Sequence, residues 1–309
     1  MTAAPAVRFD KVTVNYGARR VWGDLSLDVA PGAFVAILGP NGAGKTSLLR
    51  AILGLLTPSV GRVEVFGREP HRGDPGIGYV PQHSTFDADL PLRGTDLVRL
   101  GIDGHRWGIG WRDRKADARV AQAIASVGSE RYADAALGRL SGGEQQRLRI
   151  AQALVGDPRI LLCDEPLANL DLRYQQAITD LIGDWQKRSG GTVLFVTHDV
   201  NPVLRLVDQV LFVVNGRWAA GTPDAVLTSE RMSELYESHV DVVRVHGRIL
   251  VVGESTESGF NLDEPHHMPV AVDDHTSAHG WSSSSTCLDT SSSRTPSQRA
   301  SSSRSSQAW

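Results

Sequence analysis

The chain has 309 residues, with 32 Lys+Arg against 35 Asp+Glu and a net charge of −3. That balance excludes a protein that coats nucleic acid through bulk positive charge, and 41% hydrophobic residues suffice for one large or two modest domains with a real core. No apolar run approaches the ~18–20 residues that cross a bilayer, the N-terminal stretch reads as no secretory signal, and Cys163 and Cys287 make no disulfide framework. A soluble protein of a reducing cytosol is expected.

Val7–Val14 alternates apolar and polar positions as a half-buried strand does, with Leu25–Val29 as its partner. Phe34–Leu38 is a short apolar run between Pro31-Gly32 and Gly39-Pro40, the pattern of a buried strand feeding a turn. A helix is expected over Thr46–Leu56, stopped by Pro58, then strands at Val63–Phe66 and Ile77–Val80. Residues 92–137 carry helical patterning, interrupted by an unplaced Gly-rich stretch around Trp107 and Trp111. A helix from Ser141, a strand at Ile160–Cys163, a helix through Ile178–Trp185 and a strand at Val193–Thr197 follow. Such alternation predicts an α/β fold, a mainly parallel sheet with covering helices. Val242–Val245 and Ile249–Val252 around His246-Gly247 read as a closing hairpin.

Composition changes near residue 253. From Glu254 onward the chain is Ser, Thr, His, Asp and Pro, too polar to offset its ordering entropy, and residues 254–309 are expected to be a disordered tail.

The strongest chemical signal is Gly39-Pro40-Asn41-Gly42-Ala43-Gly44-Lys45-Thr46, a complete phosphate-binding-loop pattern followed by Ser47. Its glycines let backbone N–H groups turn inward around an anion, and the following helix aims its positive end at the phosphates. Lys45 adds an ammonium for the β/γ-phosphates and Thr46 a hydroxyl for Mg²⁺. The buried strand before it and the apolar helix after it separate this run from an incidental glycine turn. Ile160–Cys163 then ends in Asp164-Glu165-Pro166. Neighbouring strand residues point to opposite faces, so Asp164 suits the metal and Glu165 suits a water-polarising base. An Asp-Glu pair capping the next segment is the plainer alternative for those two acids alone.

Ser141 and Glu144 form an S-x-x-E capping box, a helix N-terminus with two glycines, Gly142 and Gly143, just inside it. Read by itself, it fits a plain helix cap equally well. Leu140-Ser-Gly-Gly-Glu-Gln-Gln-Arg147 resembles the signature sequence of ATP-binding cassette (ABC) ATPases, lying in that family's order between the P-loop and the Asp-Glu strand. The resemblance covers about residues 5–245. It implies a P-loop NTPase core with an antiparallel β subdomain and a helical subdomain at about 88–150, all within residues 1–253. It also implies that Tyr16 stacks on adenine, that Gln82 reaches the metal and senses the transport partner, and that Asp171 communicates between two cassettes. His198 would contact the γ-phosphate, and Ser141–Gly143 would grip the γ-phosphate held by the other cassette. A surface tyrosine at Tyr16 and a structural histidine at His198 are the plainer readings of those residues alone. Ala168-Asn169 and Glu144 depart from the family's commonest wording, and Cys163 stands where an aliphatic residue is usual.

Function follows the same resemblance. Two cassettes would close head-to-tail around two ATP molecules with Mg²⁺, in a homodimer on the cytoplasmic face of the membrane. A separate membrane permease, served by an extracellular solute-binding protein, would convert closure into transport. Tyr79–Pro91 and His198–Leu204 resemble segments of ATPases serving manganese, zinc or iron uptake, so metal import is expected, with another small solute as the alternative cargo. His266, His267, His275 and His279 in the tail carry imidazoles that suit divalent metals, but their irregular spacing fits a solvated tail better. Non-transport members of the family act on DNA or ribosomes. The former insert long heptads, absent here, and the latter usually carry two cassettes, so no nucleic-acid partner is expected.

Overall fold

The computed structural model describes residues 4–17, 19–82, 91–104 and 113–253. Trp107, Trp111 and the whole tail with its four histidines lie outside these residues.

Strands β1 (Val7–Tyr16) and β2 (Arg19–Val29) pair antiparallel, and β4 (Val60–Val65) joins the other edge of β1. β2 begins six residues earlier than the alternation in Leu25–Val29 predicts. Its pairing with β1 shifts register three times, and Lys11 and Asp24 take positive φ, so the apolar period is broken although Trp22 is fully buried. β3 (Phe34–Leu38) leads to α1 (Lys45–Ile52), which stops short of Leu56 at a turn where Gly54 takes φ +66°. Next come β5 (Ile77–Val80), α2 (Gly94–Asp103), α3 (Arg114–Ser126), α4 (Gly142–Leu154), β6 (Ile160–Asp164), α5 (Leu172–Ser189) and β7 (Thr192–Val196). β8 (Gln209–Val214) and β9 (Arg217–Gly221), α6 (Pro223–Val226), α7 (Ser229–Tyr236), β10 (Val240–Val245) and β11 (Arg248–Gly253) complete the described chain.

A six-stranded sheet runs in the order β5-β6-β7-β3-β8-β9; the first five strands are parallel and β9 is antiparallel at the edge. Period-two alternation divides its side chains between two cores. Val35, Ile37, Ile160, Leu162, Leu194 and Val196 face α1 and the antiparallel sheet. Phe34, Ala36, Leu161, Cys163, Val193 and Phe195 face the opposite core, shared with α3, α4, α5 and the β10–β11 hairpin. Cys163 is fully buried there and packs as a small apolar residue.

Parallel pairing also brings the carboxyl ends of four strands to one rim, where open α/β sheets present their binding crevice. Ile37 pairs with Val196, and Val196 with Asp164, so the ends of β3, β7 and β6 lie level. From that rim emerge the 39–46 loop, Gln82, the Asp164-Glu165 pair and His198.

Candidate functional site: a phosphate-binding loop at the carboxyl rim

Gly44 precedes the first turn of α1 with φ +94°, and a Cβ on it would come 2.2 Å from Val21 Cγ1 and 2.9 Å from the Trp22 ring. Only glycine fits this position, because β2 presses its side chains against the loop. Lys45 is 5% exposed; its Nζ donates to the carbonyls of Gly39 (2.7 Å) and Pro40 (3.0 Å) and lies 3.7 Å from Glu165 Oε1. Burial lowers the ammonium's pKa, and Glu165 and then Asp164 oppose that shift. The loop thus holds its cation over its own backbone, at the N-terminus of a helix whose free N–H groups favour anions.

A cavity of about 400 Å³ opens above the loop, lined by Val21, Asn41, Gly42, Gly44, Lys45, Thr46, Ser47, Gln82 and Glu165. Thr46 Oγ1 donates to Asp164 Oδ1 at 3.3 Å, and the hydroxyl of Tyr79 stands 3.4 Å from Asp164 Oδ2. Asp164 is 2% exposed, and burial, the leading cause, raises its carboxyl pKa against the two hydroxyls. Tyr79 is pushed up to about 12 by burial, which keeps it a neutral donor. Tyr79 is a site residue that the sequence reading passed over. It pairs with Leu162 across β5–β6, two residues before Asp164, so strand alternation alone puts Tyr79 and Asp164 on one face.

Thr46 and Asp164 offer oxygen donors close together, the chemistry a hard divalent cation takes. Among the described residues no cluster of three or more His, Cys, Asp or Glu could hold a metal by itself. Gln82 Nε2 donates to Glu165 Oε2 at 3.2 Å, so its amide meets the acid rather than Asp164 or Thr46.

Asp164 and Glu165 diverge as expected, but strand alternation is not the cause. Asp164 ends β6, while Glu165 takes φ +47°, a left-handed conformation uncommon outside glycine, with its N–H donating to Val196 O at 3.0 Å. This turn sets Glu165 between two hollows. One is the loop cavity; the other, about 50 Å³, is lined by Glu165, Gln175, Thr197, His198, Asp199 and Pro202 among others. The structure therefore brings together Lys45, Thr46, Ser47, Gln82, Asp164 and Glu165, with His198 on the far side of Glu165.

Other expected site residues do not line that cavity. Ser141 is exposed and caps α4, its Oγ accepting from Glu144 N (3.4 Å), while Glu144 Oε2 accepts from Ser141 N (2.9 Å) and Oγ (2.8 Å). Asp171 caps α5 by accepting from Tyr174 N at 2.9 Å. The ring of Tyr174 packs against Gly143 so closely that a Cβ there would be 2.2 Å from Tyr174 Cδ1. The starts of α4 and α5 thus pack against each other in one corner, with Leu172 beside it 78% exposed. Tyr16 closes β1, and its ring lies outside the described parts of the chain.

This geometry, a phosphate-binding loop, a buried Asp and a strained Glu at the rim of a mainly parallel sheet, is that of an NTPase cassette. The ABC transporter family model matches residues 22–168. The zinc import ATP-binding protein ZnuC of Halorhodospira halophila is 38% identical over 237 residues, covering 76% of this chain and 85% of that protein. The manganese transport system ATP-binding protein MntB of Bacillus subtilis is 38% identical over 231 residues, 74% of this chain and 92% of that one. Among solved structures, the dimeric post-hydrolysis ATP-binding cassette MJ0796, bound to ADP and Pi, superposes with a TM-score of 0.58 at 28% identity. It covers 69% of this chain and 97% of that one. The chain belongs to the ABC transporter family, as an ATP-binding subunit that hydrolyses ATP. No helix among the described residues is long and apolar enough to cross a membrane.

Proposed function

We propose that this subunit energises the import of a divalent metal ion, zinc or manganese, by closing with a second copy of itself around two ATP molecules. The zinc and manganese systems of the two relatives above support the cargo. The single observation that carries the closure is the separation of the two halves of the site. Asn41, Gly42, Gly44–Ser47, Gln82 and Glu165 line one cavity, whereas the Ser141 helix end and Asp171 line neither hollow of the same chain. A helix N-terminus with an exposed hydroxyl and two glycines suits an anion that arrives from another molecule. The exposed Leu172 beside it suits a contact between copies.

In the closed pair the loop's N–H groups and Lys45 hold the β- and γ-phosphates, and Ser141–Gly143 of the second copy complete the cage. Thr46 and Asp164 would hold Mg²⁺, with Gln82 nearby; when bound, the ion neutralises phosphate charge as it builds. Glu165 takes the proton of the attacking water as its oxygen bonds to the γ-phosphorus. The bond from that phosphorus to the β,γ-bridging oxygen breaks, leaving ADP and inorganic phosphate. His198 contacts the γ-phosphate from beyond Glu165, and Tyr16 stacks on adenine. Loss of the cross-interface phosphate contacts then reopens the pair.

Membrane permease subunits on the cytoplasmic face, with Gln82 as the sensor, would receive this motion, and a solute-binding protein outside would deliver the ion. The test is ATP hydrolysis by the subunit assembled with its permease in vesicles. Zinc- or manganese-loaded binding protein should accelerate it several-fold, and acceleration by a metal-free organic solute instead would reject metal import.

A further inference from the structure

The loop carrying His198 is braced from an unexpected direction. Thr197 Oγ1 donates to Asp199 O (2.8 Å) and accepts from Asp199 N (3.2 Å), so the residues flanking His198 lock to each other. Asp199 Oδ1 in turn accepts from the backbone N and the side-chain Nδ2 of Asn201, both at 2.8 Å. Asn201 then reaches out of the loop: its Nδ2 donates to Ile249 O at 2.9 Å, and its Oδ1 accepts from Ile249 N at 2.8 Å. Its amide therefore behaves as one more strand residue laid along the outer edge of β11. Ile249 pairs with Arg244 on β10, and its backbone groups are spent on Asn201.

The hairpin that receives this clamp is itself fixed. Val240 N donates to Ser233 Oγ at 3.0 Å and Val242 N to Ser229 Oγ at 2.8 Å, tying β10 to α7. Ile249 and Val240 are buried in the same core as Val200 and Val203, on either side of Asn201 in the chain. A relay of side-chain and backbone hydrogen bonds thus connects the hairpin to the residues that flank His198: Ile249 backbone to the Asn201 amide, Asn201 to the Asp199 carboxylate, Asp199 backbone to the Thr197 hydroxyl.

We propose that Asn201 is a positioning residue for His198, and that the β10–β11 hairpin is the anchor against which the His198 loop is set for hydrolysis. The proposal rests on the reading of His198 as the γ-phosphate contact. It differs from a merely structural role because its effect must pass through His198.

The test is a double-mutant cycle on steady-state ATP hydrolysis by the full-length chain. Asn201→Ala should lower kcat about ten-fold, the loss expected when a reacting group slips from its aim, while the KM for ATP stays within about two-fold. His198→Ala should lower kcat by about a hundred-fold. Adding Asn201→Ala to His198→Ala should then cost less than about two-fold, because the positioned group is gone. Exchange of the Ile249 amide hydrogen should quicken in Asn201→Ala. If that variant fails to fold, Asn201→Asp, which keeps the acceptor for Ile249 N–H and loses both donors, takes its place in the cycle. Costs that multiply independently, or an unchanged kcat in the single variant, would overturn the proposal. A fully active His198→Ala would overturn the reading of His198 itself, and the proposal with it.

Discussion

Lys45 Nζ stands 3.7 Å from Glu165 Oε1, so the cation of the phosphate-binding loop and the acid after β6 face each other across the cavity. Gln82 holds the other oxygen of the same carboxylate at 3.2 Å. Glu165 is thereby aimed by charge on one side and by an amide on the other, and its left-handed backbone prevents it from following β6. Glu165→Gln should keep the contact with Gln82 and lose the proton acceptor. Phosphate release should fall at least about a hundred-fold while ATP binding, measured by filter retention, stays within a few-fold. Hydrolysis at the parental rate would remove Glu165 from its assigned role.

Gly143 tests the corner between α4 and α5. Adding one methyl places a carbon 2.2 Å from the Tyr174 ring, and overpacking of this kind costs about 1–3 kcal/mol. Gly143→Ala should melt several degrees lower than the parent. Shortening the opposing side chain in Gly143→Ala/Tyr174→Ala should recover part of that loss by scanning calorimetry. A single variant as stable as the parent would show that the corner yields.

Burial holds the Asp164 carboxyl above its ordinary value of 3.8. The folded chain therefore binds this proton more tightly than the unfolded chain. The stabilisation is full below the ordinary value and is lost as pH rises through the raised one. Asn at this position has nothing to titrate. The melting temperature of Asp164→Asn relative to the parent should climb as the pH rises from the ordinary carboxyl value of 3.8 through the raised one, while magnesium-dependent hydrolysis disappears. A gap that shrinks over that range would contradict the sign.

The Cys163 thiol is fully buried, and burial pushes its pKa above the ordinary thiol value. In a chain carrying Cys287→Ser, a maleimide should leave the folded protein unlabelled and react only after denaturant is added. Rapid labelling under native conditions would place Cys163 outside the core.

The parts of the site that were legible in the sequence are those made by contiguous residues. The 39–46 loop, the Asp164-Glu165 pair and the Ser141 cap each carry their chemistry within a few positions, and β3, β6 and β7 are short apolar runs with clear ends. Residues that act by pairing across the sheet were harder to see. Tyr79 reaches Asp164 only because β5 and β6 are neighbours in register, and Asn201 reaches Ile249 across 48 positions of chain. Helix α5 extends from Leu172 to Ser189, whereas the apolar stripe marks only Ile178–Trp185; no residue of its first six is buried. β8 and β9 were missed although Asn215-Gly216, both at positive φ, is a standard two-residue hairpin turn.

Light scattering on the Glu165→Gln chain with ATP and magnesium measures the composite site most directly, since it counts copies. The mass should double on adding nucleotide and fall back when Ser141→Arg is introduced into the same chain. A monomer that binds ATP tightly at micromolar protein and never pairs would contradict a site completed by a second copy.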